Sequence, residues 1–95
     1  MEDDLMKARF KELKAESQRL LAGFLESEIE LGHTFASVAA SERASGNLPH
    51  CERAKGHGIV AVAAIRRFVT RIENMDTKAA IEKGCDELEQ ALSEV

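Results

Sequence analysis

Between Leu5 and Glu42 the large apolar side chains recur three and four positions apart. Met6, Phe10, Leu13, Leu20, Phe24, Leu31, Phe35 and Val38 form the row, and Leu21, Leu25 and Ile29 widen it. Residues so spaced share one face of a helix, so the pattern predicts one long first helix or two helices in line. Asp3 or Asp4 is the expected cap at its start, because a short side-chain oxygen can accept the free backbone N–H groups of a first turn. Its expected stop is Gly46, where positive φ carries no Cβ penalty.

Asn47 as cap and Pro49 in the first turn then predict a second helix. Its inward row is Leu48, Cys51, Gly58, Val62, Ile65, Val69 and Ile72, flanked by Ala61 and Phe68. The run Gly58–Ile65, GIVAVAAI, could alone be a buried strand, but no other segment is fit to pair with it. After a break at Asn74–Asp76, with Asp76 as expected cap, a third helix carries Ile81, Cys85, Leu88, Leu92 and Val95. The expected fold is a single all-α domain over residues 1–95. It is an antiparallel three-helix bundle with helices at about 4–45, 49–73 and 77–93, the first open to a split near Gly23 that would create a fourth.

Short turns make neighbouring helices antiparallel, so residue i of the first helix meets about residue 94 minus i of the second, both rising about 1.5 Å per residue. That register sets Gly32 beside Ala61 and Val62, and Gly58 beside Ala36, as small packing residues that bring the two backbones close. It sets Arg66 and Arg67 opposite Glu26, Glu28 and Glu30. The second helix ends near the level of Leu21, which leaves residues 1–20 without a neighbour. Met6, Phe10, Leu13 and Leu20 continue the apolar row there, and a soluble monomer seldom leaves such a row in water. Either the segment folds back at Gly23 or it pairs with a second chain. Gly23 alone is a weak breaker, which favours a homodimer and makes those four residues the candidate self-association site.

Composition narrows the function classes. Of the 95 residues 44% are apolar and 32% charged, with four Phe and no Trp or Tyr, so large anchors for binding or for stacking on bases are few. Net charge is −3 over residues 1–46, +3 over 47–75 and −4 over 76–95. A basic helix between two acidic ones is neutralised within its own fold, which argues against Arg66, Arg67 and Arg71 as a nucleic-acid patch. The acidic MEDDLMKARFKE start does not resemble an export signal, and the longest apolar run is far short of the roughly 20 residues that span a bilayer. These features point to a cytoplasmic protein with no membrane partner.

The stretch ERASGNLPHCERAKGHG, residues 42–58, gathers two of three histidines, one of two cysteines and the only proline. His50 and His57 share a face but stand about 10 Å apart, too far for one metal ion, and His33 has no partner at ligand spacing. Cys51 lies in the first turn of the second helix, where the helix dipole favours a thiolate, with Lys55 one turn on. It also fits the inward row, so it is either a packed thiol or the reactive group of a redox or ligand sensor. Antiparallel second and third helices turning near Asp76 would set Cys85 against about residue 64, roughly 20 Å from Cys51 and too far for a disulfide. No nucleophile elbow, phosphate-binding loop, zinc-protease motif or paired core carboxylates occur, so no catalytic residues, metal or cofactor are expected.

Leu31-Gly32 with Phe35, followed by Gly46-Asn47 and Cys51 leading to Ala54, resembles the helix-turn-helix of tetratricopeptide repeats. The Ala44-Ser45-Gly46-Asn47 turn after a longer first helix looks still more like the three-helix MIT domain. His50-Cys51-Glu52-Arg53-Ala54 is also similar to a second-helix motif of short uncharacterised bacterial helical proteins. The likeness spans roughly residues 24–93. It departs in the length of the first helix, in the lack of a second repeat, and in Lys55, Gly58 and Ile59 at aromatic positions. It implies an antiparallel bundle with a groove for a partner helix. The expected function is non-enzymatic protein–protein association, with a second copy and with a partner helix, the alternative being the Cys51 sensor.

Overall fold

Gly46 adopts φ of +80° and closes the first helix in the computed structural model, which describes residues 1–95. The Asn47 N–H donates to Glu42 O at 2.8 Å and the Gly46 N–H to Arg43 O at 3.1 Å, the paired bonds of a Schellman motif. Helix α1 therefore spans Glu2–Ala44, and α2, Leu48–Val69, starts at once. The Asn47 side chain accepts from the His50 N–H at 3.4 Å, with Pro49 in the first turn where its missing N–H is not needed.

The second turn comes earlier than the sequence pattern suggests. Helix α2 ends at Val69 rather than near residue 73, because Arg71 and Ile72 donate back only three residues, to Phe68 O and Val69 O. This tight turn tucks Ile72 into the core. Helix α3, Met75–Ser93, is capped by Asn74, whose side chain accepts from the Thr77 N–H at 2.9 Å. Asp76, expected as the cap, lies inside the first turn, where its charge still suits the helix dipole. Asp3 and Asp4 likewise sit within the first turn of α1, whose N-cap is Met1 with no side-chain bond.

No break occurs at Gly23, so α1 is one unbroken helix and no fourth helix forms. At about 1.5 Å per residue its 43 residues run roughly 64 Å, close to the 68 Å long dimension of the molecule, whose other dimensions are 19 and 15 Å. Helices α1 and α2 form the antiparallel hairpin, and α3 lies in its groove against both. Each end of α3 is tied to α1. The Gln18 side chain donates to Arg71 O at 3.0 Å and accepts from the Glu73 N–H at 2.9 Å. At the other end Arg43 donates to Val95 O at 2.6 Å.

The main core joins Leu25 of α1, Ile65 and Val69 of α2, and Ile81, Cys85, Leu88 and Leu92 of α3. Gly32 and Gly58 make room for α3. A Cβ on Gly32 would collide with the Leu88 side chain, and one on Gly58 would reach within 2.5 Å of Leu92 Cδ2. The missing side chains are the sockets into which the two leucines of α3 fit.

Candidate functional site: the outer face of helix α1

Helix α1 carries two apolar rows where the sequence pattern suggested one. The buried row is Leu25, Gly32, Ala36 and Ala39, with Leu21, Ala22 and Ile29 packed beside it. The row of large side chains, from Met6 to Val38, is a different face. Phe24 precedes Leu25 and Leu31 precedes Gly32, and one residue turns a helix by about 100°. Residues on the far side of the buried row meet α3: Ile29 packs near Gly84, and His33 lines a cleft with Ala91, Glu94 and Val95. On the outer side Phe35 stacks on His57 of α2, ring centroids 5.0 Å apart. The outer row thus opens on the side of the hairpin that α3 leaves uncovered.

Every residue from Met1 to Ser17 is exposed. Met6, Phe10 and Leu13 are 70%, 72% and 61% exposed and project from a helix with no neighbour. The unaccompanied stretch is shorter than the register implied. Gln18 already holds the second turn, and Lys14 reaches Glu73 at 3.3 Å. Leu20, 68% exposed, is therefore level with the bundle, on its open side. The row continues there through Phe24, Leu31 and Val38, between 44% and 47% exposed. These three read as core in the sequence and are not. Their signal is the strict alternation of four and three from Met6 to Val38 once Ser17, Ser27 and Thr34 fill the gaps. That repeat of about 3.5 residues is the spacing of a seam between two helices.

The charges are arranged differently from the expected pairing of α2 with α1. Arg66 turns to α3, donating through Nε and Nη2 to Glu89 at 3.0 and 2.8 Å and through Nη2 to Asp86. The register fixed its level along the helix but not its direction around it. The hydrogen bonds it donates to Asp86 and then Glu89 hold this guanidinium further toward its charged form than an ordinary arginine. Arg67 and Arg71 rest over the Phe68 ring, 5.4 and 5.0 Å from its centroid. Glu26, Glu28 and Glu30 have no basic side chain within ion-pair distance, and neither do Lys7, Arg9, Lys11 and Arg19 find an acidic one.

Cys51 is 2% exposed and packs with Ala39 and Ala54 against Val95. A thiol so placed meets reagents only if that cluster opens. Cys85 lies in the other cluster, and both are free thiols. Burial pushes the Cys85 thiol upward, partly offset by the nearby Arg66 charge. His50 stands 3.8 Å from Glu42 at the surface, and no group of three or more His, Cys, Asp or Glu side chains converges as a metal site would require. No helix is long and apolar enough to cross a membrane. Compared with family models, curated proteins and solved structures, the chain matches none of them.

Proposed function

We propose that this protein is a non-enzymatic self-association module whose copies pair through the outer face of α1. The observation that carries the reading is the row Met6, Phe10, Leu13 and Leu20, each more than 60% exposed on one continuous helix. An isolated helix of about 15 residues is marginal in water, so an overhang of this length gains most of its stability from packing. Two copies bring eight such side chains together. At about 1–2 kcal/mol each for completing their burial, they contribute on the order of 8–16 kcal/mol. Association itself costs roughly 4–15 kcal/mol, so these four positions about offset that cost and the rest of the row adds the margin.

The test is light scattering on the full chain and on a variant with Phe10→Glu and Leu13→Glu. Both positions are exposed and glutamate is a good helix former, so the variant keeps its fold, which circular dichroism checks. The wild type is expected to show twice the mass of the variant. Equal masses would remove the reading.

A further inference from the structure

The outer row runs past the overhang onto the bundled half of α1, and the charges beside it divide at the same place. After the acidic first turn of Glu2, Asp3 and Asp4, residues 5–19 hold five basic and two acidic side chains, whereas residues 20–42 hold four acidic and no Lys or Arg. Most of these charges find no partner within the chain. Resting on the self-association reading, we infer that the two α1 helices pair antiparallel, so that each overhang supplies the fourth helix beside the other copy's α1–α2 face.

Antiparallel seams set the two kinds of heptad position against each other, and only certain registers do so for this row. Centring the crossing near Ala22 sets Leu13 against the second copy's Leu31, Leu20 against its Phe24 and Ser17 against its Ser27. Apolar positions meet apolar ones, serine meets serine, and the row closes with Met6 against Val38. Phe10 alone meets a polar residue, Thr34, whose methyl group can pack on the ring. In this register residues 5–19, net +3, lie along residues 25–39 of the second copy, net −3, while Glu2 comes level with Glu42. A parallel pair in register would instead set residues 5–19, net +3, on their own copy and residues 25–39, net −3, on theirs. Seven large side chains, at roughly 100 Å² of exposed surface each, offer about 700 Å² per copy, near the roughly 800 Å² per partner of a standard interface. The overhangs alone would offer about half of that.

Disulfide trapping with full-length chains separates the arrangements. One chain carries Leu13→Cys, another Leu31→Cys, both at exposed positions, while Cys51 and Cys85 stay buried. In the antiparallel register two Leu13 positions are 18 helical residues apart, about 27 Å, beyond the roughly 7 Å a disulfide allows. Mild oxidation of the mixture is expected to yield the mixed cross-link several-fold above either self-cross-link. A Leu13→Cys chain that cross-links to itself just as readily overturns the antiparallel arrangement while leaving self-association standing. A chain that is monomeric by light scattering at the same concentration, with no cross-link of either kind, overturns both.

Discussion

A Cβ placed on Gly58 would come within 2.5 Å of Leu92 Cδ2, whereas one placed on Gly56, two positions earlier in α2, meets nothing within 4 Å. Alanine favours a helix by about 1 kcal/mol over glycine, so Gly56→Ala is expected to raise stability by about that amount. At Gly58 the same gain is outweighed by displacing a buried leucine, and Gly58→Ala is expected to lower stability by about 1–2 kcal/mol. Urea midpoints of the two variants check both signs. Cys85 gives a second test. Its thiol titrates above its ordinary 9.0 because burial disfavours the thiolate. The folded state then holds its proton where the unfolded state has lost it, so this contribution is full below pH 9.0 and fades as pH rises above it. Urea titrations from pH 8 to pH 10 are expected to show a decline that Cys85→Ala reduces. At this scale the sequence made the Gly46 stop and the Asn47 cap legible, since their chemistry is local. The roles of Gly32 and Gly58 were not, since both depend on which α3 leucine arrives opposite.

Helix α1 is bound to the bundle from Gln18 onward and has no intrachain support before Lys14. If the overhang packs on a second copy, its amides are protected to a degree that depends on protein concentration; if it does not, they exchange nearly as a free peptide. Hydrogen exchange by mass spectrometry is expected to show residues 2–14 slowing at least tenfold between dilute and concentrated samples, with α2 unchanged. Three helices and the first turn follow from periodicity and caps. The division of α1 into two faces does not, because its buried row is carried largely by Gly32, Ala36 and Ala39. Such small residues hardly register as apolar in a pattern, and the large ones beside them took their place in the reading. The end of α2 was misplaced for a related reason: Ile72 continues the helical spacing but is buried from within a turn.

The whole molecule is a short bundle on a long rod, with α1 about twice the length of α2. One side of the hairpin is sealed by α3 and the opposite side carries the outer apolar row. A basic stretch, residues 5–19, and an acidic stretch, residues 25–39, follow one another along the same helix, so the attraction that aligns two copies is intermolecular and exposed to solvent. Raising salt from 0.05 to 0.5 M is expected to weaken pairing several-fold without abolishing it, because the apolar contacts persist when charges are screened. Sedimentation equilibrium of the wild-type chain across micromolar concentrations tests the account most directly. It predicts a mass approaching twice the 10.4 kDa of one chain as concentration rises. A mass that stays at 10.4 kDa at every concentration would contradict it.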